Sequence, residues 1–456
     1  MKIDTGATAW MIVATALVLF MTPGLAFFYG GMTRAKSVLN MMMMSFVSIV
    51  TVTVAWTIYG HSLAFTDNGN SFLNKFIGGG SAIGLQSILQ KTWPTGTADG
   101  TSIPTLVYSA FQLTFAIITV ALISGAIADR AKFGGWVIFS AAWATLVYFP
   151  VAHWVWGTGW LNSLGIEDFA GGTVVHVNAG AAALALAFVL GRRKGWPKEP
   201  MRPHNLPFVL LGAAILWFGW FGFNAGSEIG VDGTTALAFM NTQIATAVAA
   251  GAWILVEKFR DGAPTSLGIA SGAVAGLVAV TPACGFIDPW AAIVLGFVAG
   301  AGCSYAVGLK YKAGFDDSLD VVGVHLVGGA IGAVSLGFIA RYPFLDQQSQ
   351  GLFYGDGFKQ LGLQVLGPVV VGGYSFVMAF IIGKVIDKTI GFRVEEEVEV
   401  TGIDAVEHAE TSYDLTSAST GTGALAAAVA ASASATAAAA GGADRSKPGQ
   451  KVEAEA

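Results

Sequence analysis

Long apolar runs separated by short polar or charged segments fill most of the first 390 residues. They read Ala7–Phe28, Leu39–Tyr59, Thr105–Ala128, Gly135–Ala152, Ala170–Leu190, Leu206–Phe223, Ala236–Val256, Ser266–Thr281, Pro289–Leu309, Val321–Ala340 and Leu361–Ile386. Most are long enough to cross about 30 Å of hydrocarbon as helices. The pattern predicts an all-α polytopic membrane protein with eleven transmembrane helices, of which Ser266–Thr281 is the shortest.

Composition agrees with the pattern. Charged residues make up 12% of 456 positions and hydrophobic ones 54%, with 60 glycines and a mean hydropathy of +0.63. Soluble domains carry about twice that charge. Basic residues then set the orientation, because cytoplasmic loops retain lysine and arginine. The single loop Arg192, Arg193, Lys194, Lys198 and Arg202 holds as many as Lys2, Lys75, Lys91, Arg341 and Lys359, the total of the alternate set of segments. Arg34, Lys36, Arg130, Lys132, Lys258, Arg260, Lys310 and Lys312 add to the richer side. The expected orientation is N-terminus out and C-terminus in. The first apolar run has a weak basic head and no clear small-residue exit, so it reads as a span and not as a cleaved leader. The net charge of −5 says little about partners, since its asymmetry across the membrane is what counts. Cys284 and Cys303 lie in or near different spans, and nothing suggests a disulfide framework.

Residues 1–390 read as one membrane domain. From Gly391 the chain turns acidic and polar (GFRVEEEVEVTGIDAVEHAETSYD), a cytosolic region over 391–414. Residues 415–456 are rich in Ala, Ser, Gly and Thr and read as a disordered tail. Within the membrane part, TPGLAFFYGG closes the first span and WFGWFGFNAG the sixth, while VVHVNAG lies in the fifth and GVHLVGG in the tenth. Two sets of five spans must run in opposite directions, because five is odd. The expectation is a five-plus-five inverted repeat, about 7–190 and 206–340, with the eleventh helix at about 361–386 outside it.

Ionisable groups inside a membrane normally face a cavity or a partner. His176 and His325 fall within spans; at 1.5 Å per residue each lies roughly 10 Å in, from opposite faces. Either could be a core histidine bonded to a carbonyl. Two of them on matched spans of an inverted repeat point instead to a polar path. A metal is a poor fit, because Asp168 and Asp320 lie eight and five residues before their histidines. The first spacing puts aspartate and histidine about 12 Å apart on a helix. Neutral imidazoles offer one donor and one acceptor, enough to line a path for a small polar molecule or to relay a proton. An ion entering so apolar a pore escapes the cost of dehydration by shedding a proton. Toward the outer side lie Phe111, Phe115, Trp156, Asp168 and the stretch Phe223 to Ser227. Alone these aromatics read as an interface belt. Beside an aspartate and above a buried histidine they suit a small cation, each ring attracting it by about 0.5–2 kcal/mol.

At these residues the sequence strongly resembles the ammonium transporter (Amt/Mep/Rh) family, its bacterial Amt branch in particular. The resemblance rests on DFAGGTVVHVNAG at 168–180, WFGFNAGS at 220–227, TPACG at 281–285 and DVVGVH at 320–325, and covers about residues 7–413. It implies a homotrimer in the cell membrane with one pore per subunit, taking up ammonium, and methylammonium as an analogue, for nitrogen supply. It implies an outer ammonium site at Phe111, Trp156 and Ser227 with Asp168 behind it. It implies a stacked gate of Phe111 and Phe223, and His176 and His325 as twin pore histidines sharing a ring hydrogen bond. Phe115, Trp220, Asn224 and Asp320 are expected to support these groups. The acidic region after Gly391 resembles the family's regulatory C-terminal segment, which in bacteria works with the PII signalling protein. Lipid surrounds such a chain, and no nucleic acid, metal or other cofactor is implied.

Two rivals come from other classes. A sensor would normally carry an attached signalling domain, and 391–456 is short and low in complexity for one. An intramembrane enzyme needs a nucleophile–base pair or a metal helix such as HExxH; neither motif occurs, nor does a glycine-rich phosphate loop.

Overall fold

A computed structural model describes residues 2–97, 99–344, 350–355 and 357–413. Ten helical segments among them are long and apolar enough to cross a membrane, and an eleventh is apolar but short. In chain order they are α1 (Thr5–Met32), α2 (Ala35–Phe65), α3 (Thr105–Ile127), α4 (Phe133–Leu164), α5 (Gly172–Leu190), α6 (Leu206–Glu228), α7 (Gly233–Arg260), α8 (Ser266–Val280), α9 (Pro289–Ala313), α10 (Val322–Ile339) and α11 (Phe358–Thr389). The short one, α8, corresponds to the shortest apolar run. Five of these helices begin on polar side-chain caps. Asp4, Asn205, Thr265 and Asp288 each accept a hydrogen bond from the backbone N–H three residues on, and Asp232 with Thr235 closes a capping box. Such caps contribute about 1 kcal/mol each. One departure from all-helical structure is a short antiparallel ribbon, Thr92–Pro94 with Ser102–Pro104, between α2 and α3.

Large apolar side chains such as Val50, Val54, Ile58, Phe218, Val294, Phe297 and Val369 are exposed on the outer helix faces. That is the surface a lipid solvent favours and water does not. The interior is built largely of Ala, Gly and aromatic residues, which let helices approach closely.

The helices α5 and α10 run antiparallel through the middle. Arg193, just past the end of α5, donates from its backbone and guanidinium N–H groups to Asp316 at the head of α10, at 2.8–2.9 Å. Toward the other end, Gln364 of α11 donates to the carbonyl of Glu167 at the head of α5 (2.8 Å) and to that of Ala333 far along α10 (3.2 Å). The two helices overlap only over their first turns. A Cβ on Gly180 would lie 2.4 Å from Leu326 N, and one on Gly329 would lie 2.8 Å from Gly172 O. Both glycines sit four residues after a histidine, and only a residue without a side chain fits either crossing.

Residues 391–410 pack in the same compact unit as the helices, Met1–Glu410. Phe392 and Ile403 are fully buried, and Asp404 accepts from the backbone N–H groups of Leu39 and Asn40 at the head of α2, at 2.9 and 2.8 Å. The Ala-rich tail over 415–456 lies outside the described residues.

Candidate functional site

Two backbone devices of the same design meet at the centre of the molecule. In the first, the buried Asp168 carboxylate accepts from the N–H groups of Gly171 (3.2 Å), Thr173 (3.0 Å) and Val174 (3.0 Å). Gly171 stands in the left-handed region at φ 115°, and α5 then opens with a π-helical turn, Gly172–Val177, that carries His176. In the second, the buried Asp317 accepts from Val321 N (3.1 Å) and Val322 N (2.7 Å). Asp320 stands left-handed at φ 63°, and a π-helical turn, Val322–Leu326, carries His325. Aspartate, left-handed residue and histidine share one spacing in both. The carboxylates satisfy the unpaired N–H groups of a helix start, where negative charge is also favoured by the helix dipole.

The turns bring the imidazoles together edge to edge. The Nδ1 atoms of His176 and His325 lie 3.2 Å apart, with ring centroids at 5.3 Å and planes inclined by 21°. A hydrogen bond between two Nδ1 atoms needs one donor and one acceptor, so one ring must leave its Nδ1 unprotonated. At most one of the pair can therefore be a cation. The sequence estimate of two histidines each some 10 Å in from opposite faces fails, because it counts both from helix ends at the surface. Here both helices begin deep inside: the chain before α5 enters folded, with Asp168 already buried.

Aromatic rings form a column leading from these histidines. His176 stacks on Trp220 (5.4 Å, 18°) and lies 6.1 Å from Phe223. Phe223 stacks on Phe115 (4.1 Å, 27°), and Phe115 contacts Phe111 (4.8 Å) and the edge of Trp156 (5.8 Å, 85°). Trp156 Nε1 donates to the Asp168 carbonyl oxygen at 2.8 Å, which ties the column to the first device. The Ser227 hydroxyl donates to the Phe223 carbonyl at 2.8 Å, and the Phe111 ring lies beside Gly226. Burial drives the Asp168 carboxyl up to about 6, although the N–H groups of Val174, Thr173, Gly172 and Gly171 hold it down.

One expectation is corrected by this geometry. The ring stacked on Phe223 is Phe115, not Phe111; the two phenylalanines lie four residues apart on one face of α3, so the motif fits either, one turn out of register. In the second device the carboxylate in the place of Asp168 is Asp317, a residue given no role in the sequence analysis. Asp320 occupies the left-handed position instead, and its carboxylate pairs with Lys310 Nζ at 2.6 Å. The signal for Asp317 was present in the spacing, since 317 precedes 325 as 168 precedes 176. A third group had no assigned role. Thr281 of TPACG accepts from Trp220 Nε1 (2.8 Å) and lies 3.2 Å from Asn224 Oδ1, while Asn224 Nδ2 donates to Thr242 (2.9 Å). The next residue, Pro282, packs against Gly172 and accepts from Phe169 N at 3.1 Å. This loop thus holds Trp220 and Asn224 of α6 against the head of α5.

Comparison with known proteins identifies the family. The family model described as Ammonium Transporter Family matches residues 9–413. A protein of Mycobacterium tuberculosis named "Ammonium transporter" is 53% identical over 437 residues, which cover 91% of this chain and 92% of that protein. The crystal structure of Saccharomyces cerevisiae Mep2 superposes with a TM-score of 0.79 at 34% identity, covering 87% of this chain and 89% of that one. A structure titled "Sensor Amt Protein" does so with a TM-score of 0.79 at 27% identity, covering 88% and 98%. This chain is a multi-pass membrane protein and belongs to the ammonium transporter family.

Proposed function

We propose that this chain carries ammonium into the cell: the cation binds at an outer aromatic site, gives up its proton, and passes as ammonia along the histidine pair. The observation that carries the reading is the 3.2 Å contact between His176 and His325, reached through the ring column. In this reading Phe111, Trp156 and Ser227 hold the cation, with Asp168 behind them. The stacked pair Phe115 and Phe223 is the gate that opens for it. The Ser227 hydroxyl gives its proton to a helix carbonyl and so turns oxygen lone pairs outward. Asp168 also fixes the backbone on which Trp156 and the start of α5 rest. His176 Nε2 is buried and lacks a hydrogen-bond partner among the described residues, so a passing ammonia or water can engage it. Because one of the two rings keeps an unprotonated Nδ1, the pair can take up and relay a single proton.

The wider reading counts α8 as a short span, giving eleven spans in a five-plus-five inverted repeat with α11 outside. It places the N-terminus outside and the C-terminus inside the cell membrane, on the basic-residue distribution. Three subunits, each with its own pore, and a PII-type partner at residues 391–413 complete it; methylammonium is the expected analogue and nitrogen uptake the use.

The test is flux through the purified protein alone. Reconstituted in liposomes, it should produce a pH change or a current on an imposed ammonium gradient. Signals no greater than those of empty vesicles would remove the transport reading and leave the sensor.

A further inference from the structure

The left-handed position is glycine in one device and aspartate in the other, and the aspartate is not alone. Lys310, near the end of α9, is buried, and its ammonium donates to Asp320 Oδ1 (2.6 Å) and to the carbonyl oxygen of Asp317 (2.8 Å). It also lies 5.5 Å from the centroid of the Tyr311 ring. A carboxylate, a carbonyl oxygen and an aromatic face are the ligands that suit a small ammonium ion. Two cavities, of about 460 Å³ and about 230 Å³, meet at this point, and Lys310, Tyr311 and Asp320 line both. The larger also reaches Arg260 and Tyr305, the smaller Met32 and Leu319. The Asp320 side chain is 33% accessible, so small ions reach it from these cavities, whereas Lys310 is only 9% accessible.

We propose that Lys310 is a tethered ammonium that fills a second cation site, built from Asp320, the Asp317 carbonyl and Tyr311, at the mouth where α10 begins. A tethered ligand competes at an effective concentration near millimolar or above. Ammonium below that concentration therefore does not displace it, and ammonium re-formed from ammonia that has passed the histidine pair meets no free carboxylate here. Among the described residues the first device has no such lysine: its left-handed residue is Gly171, packed by Val175 and Trp156. The functional consequence rests on the transport reading, but the site itself is tested by binding.

The experiment is equilibrium binding of radiolabelled methylammonium to the purified protein, with K310Q and K310Q/D320N beside it. The glutamine amide keeps a donor for Asp317 and Asp320 but carries no charge. K310Q should bind one more methylammonium per chain than the parent, at least about tenfold more tightly than any second site of the parent. K310Q/D320N should lose it. Should K310Q not assemble, K310A prepared in methylammonium should be stabilised by it against heat, and K310A/D320N should not. Equal stoichiometry in the parent and K310Q, or extra binding that survives D320N, would overturn the proposal. So would K310A that methylammonium does not protect. A loss of flux with the binding pattern intact would count against the transport reading and not against this site.

Discussion

The devices at the heads of α5 and α10 share a backbone and differ in what they present. Each places an aspartate eight residues before a histidine, uses it to hold the N–H groups of a helix start, and turns through a left-handed residue. The match holds two imidazoles at bonding distance from two separate parts of the chain. The differences lie at the mouths. The α5 device meets Trp156 and the phenylalanines; the α10 device meets Lys310 and the polar cavities around it. The shared backbone positions the histidines, and the unlike surroundings distinguish the two devices.

The comparison breaks most visibly at the aspartates. Asp168→Ala and Asp317→Ala each leave buried N–H groups without an acceptor, at about 1–3 kcal/mol per group. Both should lower the unfolding temperature, but only Asp168→Ala should abolish uptake. Equal loss of flux in two folded variants would mean that the carboxylates share one task. Next come the crossing glycines. Gly180→Ala and Gly329→Ala should each destabilise by about 1–3 kcal/mol and reduce flux, because the added methyl forces the first turns apart. Heat unfolding and uptake measured on the same preparations would show whether the crossing is as symmetric as it looks.

Smaller effects sharpen the account of the aromatic column. Phe115→Ala removes the ring stacked on Phe223 and should alter flux at saturating ammonium, whereas Phe111→Ala should chiefly weaken apparent affinity; the reverse would restore Phe111 as the gate. The Asp168 carboxyl, raised by burial to about 6, is charged above that pH and neutral below it. Apparent affinity for methylammonium, which stays protonated throughout, should therefore fall as external pH drops through about 6. Stability should respond oppositely. A carboxyl raised above its unfolded value of about 3.9 binds protons better when folded, so this group favours folding as pH falls. Least of all, Ser227→Ala should weaken apparent affinity about 2- to 10-fold, the value of one modest hydrogen bond.

Much of the frame was legible in the apolar runs, because lipid demands helices and helices of that length leave an unmistakable trace. The histidines stood out for the same reason, as polar exceptions in apolar runs. What sequence could not deliver was depth and register. The heads of α5 and α10 are buried in protein, so counting from the end of an apolar run misplaces His176 and His325. Phe111 and Phe115 share a helix face, and only the neighbouring α6 decides which of them meets Phe223. Asp320 attracted notice as the first residue of DVVGVH, while Asp317 sits in the pair Asp316 and Asp317, whose members diverge: one binds Arg193 and the other caps α10.

The ties on α5 and α10 bear on speed. Arg193 pins the far end of one helix to the head of the other, Gln364 pins the opposite end, and the imidazoles join them between. Three such ties oppose rocking of one helix against the other, and on the transport reading they keep the histidine pair assembled from one passage to the next. On the transport reading proposed above, turnover is expected to be limited by stripping water and a proton from each ion and by the swing of two phenyl rings, rather than by a slow motion of half the protein against the other.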